Sequence, residues 1–119
     1  MAVVNPTYTE GQGGTHRYVW SGIANGDTCT QVSLPGAPDV SIQVYGTFGG
    51  ATLAIQGSLD AVLATATFAP LQDPQGNALS FTAAGIDMLA SSIVTWLKPV
   101  LSGGAGTTLT VVMLAKGMR

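Results

Sequence analysis

VSIQVYGTFGGATLAIQGS, residues 40–58, decides the fold. Val40, Ile42 and Val44 alternate with Ser41, Gln43 and Tyr45. After TFGG the pattern resumes, with Ala51, Leu53 and Ile55 set against Thr52, Ala54 and Gln56. A period of two places each set on one face of an extended strand. The paired glycines between the two runs supply positive φ without steric cost, so TFGG reads as a turn.

The same grammar extends in both directions. HRYVWSGI, residues 16–23, sets His16, Tyr18 and Trp20 against Arg17, Val19 and Ser21. TQVSL is closed by Pro35 and Gly36. ATATFAPL is a weaker strand whose Pro70 belongs at an edge or a bulge. LKPVLSGGAGTTLTVVMLAKG, residues 97–117, reads as a hairpin around a glycine-rich loop. Its second arm is apolar on both faces: Leu109, Val111 and Met113 on one, Thr110, Val112 and Leu114 on the other. Such a strand is buried on both sides, one against the core and one against a neighbouring chain. Short runs with turn signals about every ten residues predict an all-β, single-domain β-sandwich or jelly roll over residues 15–119.

Two segments depart from that pattern. Residues 1–14 carry Pro6, Gly11, Gly13 and Gly14 without apolar periodicity, and read as a flexible N-terminal arm. AAGIDMLASSIVTWLKP fits either period. The expectation is one short helical turn near 85–90 and then a strand over about 93–101, with a full helix over 84–97 as the alternative.

Composition narrows the function. Charged residues make up 8% of the 119 positions, against about 25% in an average soluble domain, while apolar residues reach 46%. A surface so poor in charge is expected to be covered by copies of itself or by a larger assembly. No Lys or Arg lies between residues 18 and 97, so no basic stripe for nucleic acid can be drawn. Apolar runs fall short of the roughly 18–20 residues of a membrane helix. No secretory leader is read at the start, and Cys29, the single cysteine, has no intramolecular partner; both suit synthesis in a reducing cytoplasm.

Catalytic arrangements find little support. The acids Glu10, Asp27, Asp39, Asp60, Asp73 and Asp87 are scattered singly, and His16 is the only histidine. LQDPQGNALSFTAAGI, residues 71–86, resembles the approach to an active site. Asp73 before Pro74 and Gly76 is instead a turn signature, so the stretch reads as a connector. Cys29 reads as a small buried apolar residue, and neither GTFGG nor SGGAG has the form of a phosphate loop. The expectation is a chain that is not an enzyme, with no catalytic residues, cofactor or metal. Trp20 and Trp96 read as core. Tyr8 and Tyr45 read as interface contacts, together with Thr110, Val112 and Leu114 on the outward side of the last strand.

GTFGGATLAIQGSLD, LQDPQGNALSFTAAGI and the LKPVLSGGAGTTLTV run together resemble a group of small tailed-phage structural proteins. The matching positions are Gly46 to Asp60, Leu71 to Ile86 and Lys98 to Val111. The chain departs from that group at Ala61 and Ala66, where its members carry Gly and Trp. The resemblance implies a capsid decoration (cement) protein on the outer surface of a virion. It would be made in the host bacterial cytoplasm and clamp as an oligomer across junctions of the phage major capsid protein; the two-faced apolar strand 108–115 and the low charge predict a homo-oligomer, trimer preferred over dimer. Membranes and nucleic acid are not expected partners. The alternative is a carbohydrate- or receptor-binding β-domain of a head fibre or tail component.

Overall fold

The computed structural model describes residues 3–10, 15–32, 39–59, 67–73, 75–88 and 96–116. The described chain is all-β and builds a β-sandwich, as the alternation predicts. Its strands are β1 (Val3–Val4), β2 (Thr7–Glu10), β3 (Thr15–Ala24), β4 (Thr28–Cys29), β5 (Asp39–Thr47) and β6 (Ala51–Ser58). They continue with β7 (Ala69–Pro70), β8 (Ser80–Phe81), β9 (Gly85–Met88), β10 (Trp96–Gly103) and β11 (Thr108–Lys116).

One sheet has five strands in the order β2-β3-β11-β5-β9, every neighbouring pair antiparallel. The other is centred on β6, with β10 along one edge and the short β7 and β8 dividing the other. Between them lies one core. The five-stranded sheet supplies Trp20, Ile23, Ile42, Val44, Leu109, Val111 and Met113; the second sheet supplies Leu53, Ile55, Phe81 and Leu97, joined by Leu79 just before β8. The alternation read in residues 40–58 holds: Val40, Ile42, Val44, Ala51, Leu53 and Ile55 are buried, and Ser41, Gln43 and Tyr45 are exposed.

Trp20 and Ile23 both reach the core although an odd spacing puts them on opposite faces of a regular strand. The register explains this, because Leu109 pairs with Ile23 but Val111 pairs with Trp20. Ser21 and Gly22 therefore stand together opposite Thr110, in a β-bulge where Gly22 has φ 70°.

The expected hairpin over residues 97–117 does not form. β10 pairs with β6 and β11 pairs with β3 and β5, so the SGGAGT loop carries the chain from one sheet to the other. The physical reason lies in β11, whose two edges are both occupied, leaving no place for β10. TFGG makes the matching crossing from β5 to β6, and the two arches lie against each other. The Ala105 amide donates to the Gly49 carbonyl at 3.0 Å. A Cβ on Gly104 would stand 2.6 Å from the Ala51 Cβ, so a side chain there is excluded.

Two further expectations are corrected. The helical turn near 85–90 is replaced over Gly85–Met88 by β9, paired with β5 from Ser41↔Met88 to Val44↔Gly85. Edge pairing beside β5 outweighs the weak helical spacing of Ile86 and Leu89. The full-helix alternative also fails where it can be seen, since Trp96 opens β10; residues 89–95 lie outside the described residues. The segment read as a flexible arm holds two short strands, Val3–Val4 and Thr7–Glu10. β1 runs parallel to β4, β2 runs antiparallel to β3, and Val4 packs against the core. An edge strand needs main-chain hydrogen bonds rather than a long apolar period, which is why composition missed it. Residues 1, 2 and 11–14 of that segment lie outside the described residues. Of the TQVSL run, Val32 forms a single bridge to Leu97 and the Thr30 amide donates to the Val4 carbonyl at 2.9 Å, while residues 33 and 34 lie outside the described residues.

Candidate functional site

The registers of the five-stranded sheet align one outward-facing row across all its strands. Val19 stands opposite both Thr7 and Val112, Val112 opposite Gln43, and Gln43 opposite Ile86. Beside this row lies a second, with Thr9, Arg17, Leu114 and Ser41, and on the other side Thr110 stands opposite Tyr45. Directly opposed side chains on one sheet face touch, so these positions form one continuous surface.

That surface is apolar at its centre and nearly free of charge. Ile86 is 69% exposed, Tyr45 43% and Leu114 42%, while Val19 and Val112 are half-buried. The remaining described side chains of these two rows are Thr, Ser and Gln, with Arg17 their one charged group, and the next row along the registers places Lys116 opposite Thr15 and Asp39. Arg17, Ser41, Ile42, Gln43, Ile86, Val112 and Leu114 line a depression of about 290 Å³. The last strand thus buries only its inner face within the chain. Leu109, Val111 and Met113 are fully covered, and the side bearing Thr110, Val112 and Leu114 looks outward.

Four of the five residues expected as contacts therefore share one face: Tyr45, Thr110, Val112 and Leu114. Tyr8 does not. It pairs with Tyr18, which packs against the core, and so lies on the inner side of the sheet at its β2 edge. There it meets rings that are well separated in sequence. Tyr8 stands 5.0 Å from Tyr18 and 5.8 Å from His16 between ring centroids, and its hydroxyl hydrogen-bonds His16 Nδ1. Burial raises the Tyr18 pKa, with Tyr8 adding to the effect. Arg17, Val19, Gln43 and Ile86 were not foreseen as part of a site. The signal for Ile86 was the alternation in GIDM, hidden by its competing helical spacing.

The turn reading of Asp73 agrees with the geometry. Asp73 is buried, and its Oδ1 accepts hydrogen bonds from the amides of Gln75 (3.0 Å) and Asn77 (2.9 Å). The two arms of the turn attach to β6, Leu71 donating its amide to the Ile55 carbonyl and Ile55 donating to Leu79. Cys29 is buried as expected. Its thiol pKa is pushed up to about 11, mainly by burial and further by Asp27, with Lys98 opposing. Lys98 itself sits on the other sheet, its Nζ 4.3 Å from the centre of the Phe68 ring. Among the described residues no group of three or more His, Cys, Asp or Glu side chains is placed to hold a metal ion.

Comparison with protein-family models, with curated proteins and with solved structures finds no match for this chain.

Proposed function

We propose that the protein is a non-catalytic structural component of a phage virion, a capsid decoration protein, that self-associates and docks through the outer face of its five-stranded sheet. The observation that carries this reading is the row Thr7–Val19–Val112–Gln43–Ile86, an uncharged, apolar-centred strip spanning the whole sheet, with Arg17 in the neighbouring row. Large exposed apolar patches of this kind mark contact surfaces, and depletion of charge is the compositional signature of an interface core. The virion setting comes from the resemblance of residues 46–60, 71–86 and 98–111 to small tailed-phage structural proteins. Two measurements test it. The mass of the purified protein in solution reports self-association. Antibody labelling of particles from the phage that encodes it reports location, and labelling of the capsid exterior is the expected result. Label confined to tails, or absent from particles, contradicts the capsid assignment.

A second reading, carbohydrate binding, is favoured by one observation: Tyr8, His16 and Tyr18 converge at the β2 edge. Aromatic faces and ring-borne hydrogen-bonding groups suit the apolar face and hydroxyls of a sugar. A glycan screen in which binding is found and then lost on Tyr8→Ala would favour this reading over docking.

A further inference from the structure

An asparagine side chain cyclises most readily onto a following glycine, because glycine has no Cβ to keep its amide nitrogen away from the neighbouring carboxamide. The chain has three asparagines. Asn5 precedes Pro6, which has no amide proton to lose, and Asn77 precedes Ala78; Asn25 alone precedes a glycine. The fold puts this Asn25–Gly26 step in the turn between β3 and β4, with both residues exposed to water. Gly26, at φ 82°, takes the third position of that turn, which the Asp27 amide closes by donating to the Ala24 carbonyl at 3.0 Å.

The fold also holds the reactive carboxamide still. Asn25 Oδ1 accepts from the Thr107 amide, and Nδ2 donates to the Gly103 carbonyl and to Thr107 Oγ1. For the Gly26 nitrogen to reach Asn25 Cγ, the carboxamide has to leave all three partners. Cyclisation therefore requires the turn and the arch through Gly103 and Thr107 to part first, a local opening that the folded state resists.

We propose that Asn25–Gly26 is a self-modification site, held shut by the arch and released when the chain opens. The Gly26 nitrogen attacks Asn25 Cγ. A new N–Cγ bond replaces the bond to Nδ2, which leaves as ammonia carrying the Gly26 amide proton. Water then opens the succinimide, breaking the new N–Cγ bond to give aspartate or the original main-chain bond to give isoaspartate. No electrons are exchanged, and water is the only co-reactant. Neither product remakes the tie. A carboxylate has no donor for the Gly103 carbonyl, and it adds a negative charge two residues from Asp27. Isoaspartate also lengthens the main chain inside a turn closed by two hydrogen bonds, the Asp27 amide to the Ala24 carbonyl and the Ala24 amide to Asp27 Oδ2, each 3.0 Å. A chain that has opened is thus marked irreversibly, and the mark weakens the contact that guarded the site. None of this depends on the outer face of the five-stranded sheet.

Peptide-mapping mass spectrometry of the wild type, aged in mildly alkaline buffer with and without urea, tests this. In urea, Asn25 should convert well ahead of Asn77. Gly26→Ala should abolish that lead, and its strain in the folded turn has no bearing on an unfolded chain. Without urea, conversion at Asn25 should be slower by about tenfold or more, since three hydrogen bonds have to break first. Wild type converted in urea and then refolded should unfold at a urea midpoint lowered to that of Asn25→Asp or below. Conversion as fast without urea as with it would overturn the proposal, because the arch would not be guarding the step. So would Asn25 converting no faster than Asn77 in urea, or a converted chain that regains the wild-type midpoint.

Discussion

Asn25 and Thr107, 82 positions apart, are joined through both ends of the Asn25 carboxamide. Oδ1 accepts from the Thr107 amide at 3.0 Å, and Nδ2 donates to Thr107 Oγ1 at 3.1 Å and to the Gly103 carbonyl at 2.8 Å. Thr107 Oγ1 in turn donates to the Phe48 carbonyl at 2.8 Å. One side-chain pair thereby ties the turn after β3 to both arches that carry the chain between sheets. Thr107 is buried, so removing its partner leaves a main-chain donor unsatisfied. Asn25→Ala should cost about 1–3 kcal/mol in urea unfolding. Asn25→Asp should not rescue it, because a carboxylate cannot donate to Gly103. A change below about 0.5 kcal/mol in Asn25→Ala would show that the tie is not needed.

The stacking of the arches separates two glycines of one loop. Gly104 and Gly106 have φ of 80° and 65°, so alanine is strained at both. An added Cβ meets nothing within 4 Å at Gly106, but at Gly104 it comes within 2.6 Å of the Ala51 Cβ and 2.7 Å of Thr107 Oγ1. Gly106→Ala should cost about 1–2 kcal/mol, and Gly104→Ala should cost more by a further ~1–3 kcal/mol of overpacking. Equal melting temperatures for the two variants would contradict the packing of the arches.

Asp73 tests whether the 71–86 stretch is a connector. Its role is acceptance of two amide hydrogen bonds, which an asparagine Oδ1 can also perform. Asp73→Asn should stay within about 1 kcal/mol of wild type, while Asp73→Ala should lose about 1–3 kcal/mol by orphaning the amides of Gln75 and Asn77. An Asn variant as damaged as the Ala variant would show that the charge itself matters.

The sheet strands were legible because their inward residues keep a strict period of two, as in Val40–Ile42–Val44 and Leu53–Ile55. Which strands would pair was not. The runs on both sides of the SGGAGT loop read as strands, and nothing local distinguishes a hairpin from an arch. The choice is made by β3 and β5, distant in sequence, which occupy both edges of β11. β9 was hidden because Ile86 and Leu89 satisfy a helical period as well as a strand, and β1 and β2 because edge pairing leaves little compositional trace. The contact face was half legible. Tyr45, Thr110, Val112 and Leu114 share it, but the row through Val19, Gln43 and Ile86 depends on inter-strand registers, and Tyr8 turns toward the other side.

The Cys29 thiol links stability to alkaline pH. Its pKa is raised from 9.0 to about 11 in the folded chain, so the unfolded state loses its proton first as pH rises. Below pH 9 both states hold the proton and the thiol adds no pH dependence. Between about pH 9 and 11 the unfolded chain binds fewer protons than the folded one, so stability falls as pH increases. Urea midpoints should drop over that interval in the wild type and drop less in Cys29→Ala. Identical pH profiles would show that the thiol ionises equally in both states.

Light scattering of the wild type beside Val112→Asp shows whether the outer face of the five-stranded sheet is a contact surface. Val112 is half-buried at the middle of the face and lines the depression. A carboxylate there would lie unpaired in a dry interface at a cost of several kcal/mol, while leaving the inner face of β11 intact. The wild-type mass should be a multiple of the 12.0 kDa chain, and the Val112→Asp protein should be monomeric and folded. A wild type that stays monomeric at every concentration, or a Val112→Asp variant that assembles like the wild type, would contradict that role for the face.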